Sequence, residues 1–106
     1  MNDKSLNQQD DLPAELLQKM AGVLAVLAHP ARLRIVEILQ AEGEAPVHRI
    51  TDRLALPQAA ASHHLNKMKA AGLLAAERRQ KEVWYRIAEP STLTILDCIR
   101  KKRSKT

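Results

Sequence analysis

The chain has 106 residues, 45% of them hydrophobic, enough for one domain with its own core and small enough to gain burial from a second subunit. Its formal charge of +5 favours an anionic partner while also serving solubility, and with Trp84 and Tyr85 as its aromatic residues it has few stacking platforms for single strands, so duplex DNA is the better fit. A single cysteine, Cys98, excludes an internal disulfide and a cysteine-rich zinc knuckle. No apolar run has the length of a membrane span or the form of a secretory signal, so the expected location is the cytoplasm, with no membrane partner.

Residues 1 to 11, MNDKSLNQQDD, are polar and carry no apolar period, which predicts a flexible tail before a single domain over residues 12 to 103. Leu16, Leu17, Met20, Val23, Leu24 and Leu27 then fall at helical spacing, with Asp11 or nearby residues able to cap and Pro13 near the first turn. This stripe is wide enough to pack on its own domain and on a partner subunit together. His29 and Pro30 punctuate the chain, and Pro30 opens a second helix, Ala31 to about Gln40, that stops at Gly43. Its core candidates are Leu33, Ile35, Val36, Ile38 and Leu39. Arg32 and Arg34 sit in its first turn, where the helix dipole disfavours cations, so each either has an anionic partner or is solvated. Pro46 opens a short helix from Val47 to Leu54.

Residues 50 to 74, ITDRLALPQAAASHHLNKMKAAGLL, read as two short helices held at an angle, with Pro57 opening the second and Gly72 stopping it. Ala60, Ala61, Leu65, Met68 and Leu73 are predicted to face inward. Gln58, Ser62, His63, Asn66, Lys67 and Lys69 lie on the other side, with Ala59 beside them. That face is uncharged and polar near its start and basic further on, which suits a recognition helix whose first residues meet base edges while lysines meet phosphates. The adjacent His63 and His64 point about 100° apart on a helix and do not form the i, i+4 pair that chelates zinc. His64 is expected to be packed or capped, His63 to face outward, and His29 and His48 to mark helix starts.

Leu73 to Arg78 and Glu82 to Ile87 are two candidate strands joined by the polar tip Arg79-Gln80-Lys81, a β-hairpin in which Val83, Tyr85 and Ile87 alternate with Trp84 and Arg86. Arg78, Arg79 and Lys81 are placed to reach a phosphate or a neighbouring groove. Pro90 and Ser91 start a last helix with Leu93, Ile95, Leu96 and Ile99 apolar. Its basic end, Arg100 to Lys105, is either a phosphate clamp or a solvated helix terminus that complements the dipole. Cys98 is either a small residue packed beside Ile95 and Ile99 or a sensor, as a thiol pair across a dimer or a thiolate activated by Arg100 and Lys101. Gly22, Gly43 and Gly72 form no phosphate-cradling loop, and no metal motif or nucleophile and base set is spaced for catalysis. The chain is therefore expected to be no enzyme and to need no cofactor or metal.

The order helix, helix, helix-turn-helix, hairpin, helix is a winged helix-turn-helix, mainly α with a small β-hairpin wing, about five helices and two strands. Over Leu12 to Arg103 the chain resembles the ArsR/SmtB family of dimeric bacterial repressors, through LAHPARLRIVEIL (27 to 39), ASHHLNKMKAAGLL (61 to 74) and ERRQKEVWYRI (77 to 87). The resemblance implies a homodimer built on the first and last helices, paired recognition helices on a near-palindromic operator, and an inducer that lifts repression. It also locates departures: Pro57 stands where a serine often opens the reading helix, Ala61 at a β-branched position, and Lys81 at a wing-tip glycine. The family's cysteine-x-cysteine metal site falls on Pro46-Val47-His48, and the first pair of its zinc site in the last helix falls on Glu89 and Ser91. The first cysteine of its sulfur and oxidant sensors falls on Glu37, and Cys98 comes too early in its helix to be the second. The inducer therefore stays unknown at this level, and a constitutive DNA binder or a winged module for protein contact stands as the alternative.

Overall fold

The computed structural model describes residues 11–104; the tail expected over residues 1 to 11 lies, apart from Asp11, outside the described residues, as does Lys105 of the basic end. Eight elements follow in order: α1 (Ala14–Leu27), α2 (Pro30–Glu42), β1 (Glu44–Pro46), α3 (Val47–Leu54), α4 (Gln58–Ala70), β2 (Leu74–Arg79), β3 (Glu82–Ile87) and α5 (Ser91–Ser104).

Helix α2 is the centre of the packing and meets α1, α3, α4, α5 and the sheet. Proline opens it without losing a needed N–H, and the His29 ring caps it, with Nδ1 accepting from the Ala31 N–H at 3.2 Å. Gly43 ends it at φ +82, a left-handed conformation that glycine adopts without a Cβ clash, and donates its N–H to Leu39 O at 2.8 Å. Ile35, Val36, Ile38 and Leu39 of α2 are fully buried with Ile50, Leu65, Met68 and Leu73 from the elements around it. Each such side chain contributes about 1.5–3 kcal/mol of burial, which is what holds the short α3 and α4 in place.

The sheet corrects the expectation of two strands. Its order is β1-β3-β2, all antiparallel, with Glu44 facing Arg86, Ala45 facing Tyr85 and Pro46 facing Trp84. Three residues are too few to show a period of two, and Pro46 reads as a helix opener because it is also the residue before α3. Having no N–H to pair, it both closes the edge strand and starts the helix. In the hairpin, Arg79 faces Glu82, so the turn narrows to Gln80 and Lys81. Gln80 takes the positive φ of 56 that a two-residue hairpin turn requires.

Candidate nucleic-acid interface

Helix α3 stops at Ala55, whose φ of 57 and ψ of 40 are left-handed and whose N–H reaches both Thr51 O and Asp52 O. A non-glycine residue there costs about 1–2 kcal/mol, which the burial of α3 and α4 against α2 offsets. Pro57 then caps α4 in extended conformation without a side-chain hydrogen bond, leaving the first-turn amides of α4 uncapped by any side chain.

Burial divides α4 into two faces. Ala61, His64, Leu65 and Met68 are buried, while Gln58, Ala59, His63, Asn66, Lys67 and Lys69 are exposed and Ser62 is half-buried between the faces. The structure thus brings Gln58, Ala59, Ser62, His63 and Lys67 onto one outward stripe, at positions one or about four apart. Ala60, expected inward, is half-buried.

His64 is held in a way the sequence does not announce. Its Nδ1 accepts from Arg32 Nε at 3.1 Å, and Arg32 Nη1 donates to Val26 O at 3.0 Å, so one side chain of α2 ties α4 to α1. The half-buried Arg32 guanidinium thus has two neutral acceptors within the fold. The His29 ring lies 4.4 Å from that of His64 and the His63 ring 5.9 Å. Burial, followed by the charges of His29, Arg32 and His63, lowers the His64 pKa below the ordinary histidine value. His64 is therefore neutral at pH 7, with Nδ1 as acceptor and the proton on Nε2.

The wing presents its cations unequally. Arg78 and Lys81 are exposed. Arg79 instead turns back across the sheet, donating to both carboxylate oxygens of Glu44 at 3.0 and 2.7 Å and to Glu77 at 3.0 Å. Its guanidinium carbon lies 4.8 Å from the centre of the Trp84 ring. These hydrogen bonds raise the Arg79 pKa and lower that of Glu44, so the pair stays charged and its charge is satisfied internally. The structure separates Arg79 from the outward cations with which the sequence grouped it, because the missed strand β1 sets Glu44 within its reach. His48, expected to mark a helix start, lies in the first turn of α3 and reaches Glu82 at the base of the wing turn at 2.9 Å.

Cys98 is exposed, which corrects the packed reading, because α5 buries Thr92 and Leu96 on its other side. Among the described residues no three histidine, cysteine or acidic side chains gather as a metal site. At the start of α5, Glu89 accepts from Ser91 Oγ at 2.9 Å and pairs with Lys19 of α1 at 3.2 Å, so these contacts occupy the position of the family's zinc ligands and lower the Glu89 pKa.

Comparison with known proteins adds independent findings. Residues 27–76 match a helix-turn-helix domain family. The chain is 42% identical over 77 residues to the HTH-type transcriptional repressor SmtB of Mycobacterium tuberculosis, covering 73% of this chain and 56% of that protein, so it spans just over half the length of that relative. It is 36% identical over 80 residues to the transcriptional repressor PagR of Bacillus anthracis, covering 76% of this chain and 80% of the relative. The PagR crystal structure superposes with a TM-score of 0.75 at 33% identity, over 82% of this chain and 99% of PagR. The homodimeric winged helix-turn-helix DNA-binding domain of a possible ArsR-family regulator from Mycobacterium bovis superposes with a TM-score of 0.73 at 30% identity, over 87% of this chain and 84% of that one. With the motifs, the element order and the two-faced α4, these likenesses place the protein: it belongs to the ArsR/SmtB family of winged helix-turn-helix, DNA-binding transcriptional regulators.

Proposed function

We propose that the chain works as a cytoplasmic homodimeric repressor that reads a duplex operator through α4 and the wing and is released by an inducer, without catalysis. The observation that carries this reading is the outward stripe of α4, where Gln58, Ala59, Ser62 and His63 precede Lys67 on a helix fixed from behind by Arg32. Gln58 offers the side-chain amide that pairs bidentately with adenine, Ala59 suits a thymine methyl, and Ser62 and His63 add donors and acceptors. Lys67, Arg78 and Lys81 are exposed cations flanking that stripe and suit phosphates.

The dimer reading is supported by apolar side chains exposed on the two terminal helices, Leu16, Leu17 and Leu24 of α1 and Ile99 of α5. A relative of this fold forms a homodimer. No helix of the described residues is long and apolar enough to cross a membrane, in keeping with a cytoplasmic regulator.

Selection of bound duplexes from a random pool tests the reading. The expected result is an inverted repeat, bound with an affinity that falls steeply with salt and in the nanomolar range typical of specific sites, about 10⁻⁸ to 10⁻¹¹ M. Equal, weak binding to every duplex would instead favour a winged module for protein contact. Repeating the selection with metals and oxidants reads out the switch, with Cys98 as the candidate sensor because its thiol is open to solvent.

A further inference from the structure

Three imidazoles meet where the corner between α1 and α2 touches α4, with the His29 ring 4.4 Å and the His63 ring 5.9 Å from that of His64. Two of them use a bare Nδ1 as an acceptor, His64 from Arg32 Nε at 3.1 Å and His29 from the Ala31 N–H at 3.2 Å. A proton on either Nδ1 turns that acceptor into a donor and leaves two N–H groups facing each other. The surroundings offer the new charge no counterion. Arg32 of α2 is already a cation, His63 of α4 becomes one in acid, and α1 contributes the uncharged Val26 O. Among the described residues the groups whose charge acts on His64 are His29, Arg32 and His63, with none from α3 or β2, which also pack on α4. A charged His29 would in addition stand at the positive end of the α2 dipole.

The two rings differ in how they reach water. His29 is exposed, whereas His64 is 9% exposed and is hydrated only if α4 moves. We infer that acid releases this protein from its operator: protonation of His64 breaks the clasp of Arg32, the neighbouring His29 and Arg32 repel the new charge, and α4 shifts away from α2, so that the proton itself acts as an inducer. Gln58, Ser62 and His63 lie within two turns of His64 on α4 and lose their placement with it. The lowered pKa of His64 has the same origin, burial first and then those positive groups. Linkage gives the sign. The clasped form excludes the proton and the released form accepts it, so falling pH draws the chain towards the released form, by at most about tenfold per pH unit for one proton. His63 acts in the opposite sense, because its protonation adds an outward cation that suits phosphate. The effect on DNA rests on the repressor reading, whereas the acid release of α4 does not.

The selected duplex is titrated with the full chain at pH 7.5 and at pH 5.5, at one ionic strength, and the ratio of the two affinities is read for each protein. The parent should bind about threefold or more weaker at pH 5.5 while keeping its helical circular dichroism. His64→Asn places a neutral amide oxygen where Nδ1 accepts and takes up no proton, so its ratio should be near one or favour acid; His64→Gln serves if that variant fails to fold. His63→Gln should keep the loss or deepen it. Without DNA, hydrogen exchange over residues 58–70, corrected for the intrinsic effect of pH, should show about threefold less protection at pH 5.5 in the parent and no such change in the His64 variant. Equal parent affinity at both pH values, an equal loss in the His64 variant, unchanged protection of α4, or a loss that accompanies unfolding would each overturn the inference. If no duplex is preferred at either pH but α4 loses protection in the way that depends on His64, the acid switch stands and the repressor reading falls.

Discussion

Arg32 Nε donates to His64 Nδ1 across 3.1 Å, so the buried face of α4 is held by a hydrogen bond from α2. Arg32→Ala removes that donor and the one on Val26 O, leaving two part-buried acceptors without their partner. The variant should lose about 1–3 kcal/mol in urea denaturation and bind preferred and random duplexes less well in equal proportion. A denaturation midpoint equal to that of the parent would show that packing alone fixes α4.

The same pair makes stability depend on pH. Burial first, and then the neighbouring positive groups, lowers the folded-state pKa of His64 below 6.5, so as pH falls through 6.5 the unfolded chain takes up a proton that the folded chain refuses. The unfolded state binds more protons in that window, and stability therefore falls with falling pH until His64 titrates in the folded state. Glu37, Glu44 and Glu89, with pKa values lowered from 4.5, add a loss of the same sign in a separate, more acidic window. Melting temperatures measured downward from pH 7 should decline before the carboxylate window is reached, and His64→Gln should remove the first decline while keeping the second.

Base reading predicts unequal losses on the outward stripe. Gln58→Ala should cost about 1–3 kcal/mol on the selected duplex and much less on random sequence, because a bidentate base contact discriminates and a phosphate contact does not. Gel-shift titrations on both duplexes measure the difference, and equal losses would remove Gln58 from base recognition.

On the wing, Lys81→Ala should reduce the slope of log affinity against log salt by about one and weaken all duplexes, as expected for one phosphate contact. Arg79→Ala should leave that slope unchanged while altering Trp84 fluorescence, since Arg79 lies against the Trp84 ring and is engaged by Glu44 and Glu77. A reduced slope for Arg79→Ala would mean that this arginine leaves Glu44 to meet DNA.

For the dimer, Ile99→Asp places a charge on the exposed apolar face of α5 and should yield monomers with poor operator affinity. Sedimentation equilibrium distinguishes the species, and a parent chain that is monomeric at micromolar concentration would refute the dimer.

The helical part of the fold was legible because strongly periodic apolar residues coincide with Pro30, Gly43, Pro57 and Gly72 as punctuation, and α3 and β3 begin and end where the sequence reading puts them. What escaped it are contacts between residues far apart in the chain. Glu44 and Arg79 are 35 positions apart, and nothing local in either neighbourhood signals the other until β1 is seen to pair with β3. Arg32 and His64 are 32 positions apart, and a charged residue in a first helical turn ordinarily reads as solvated. Of the two readings left open for Cys98, the packed one fails for a different reason. Its neighbours Ile95 and Ile99 suggested an apolar setting, but Leu96 and Thr92 take the interior and turn Cys98 to solvent. The outward stripe of α4 was readable because helical spacing alone separates it from Ala61, Leu65 and Met68.

The clasp of Arg32 on Val26 O and His64 ties α1, α2 and α4 together through one side chain. In the proposed dimer, where α1 meets its symmetry mate, the distance between the two reading helices then behaves as a stiff caliper. Half-sites of such dimers lie about 34–36 Å apart, one turn of the double helix. One added base pair would displace a half-site by about 3.4 Å along the duplex axis and rotate it by roughly 35° around it, too far for a clasped helix to follow. Operators for this protein should therefore tolerate changes of base at the centre between their half-sites far better than changes in the number of base pairs there.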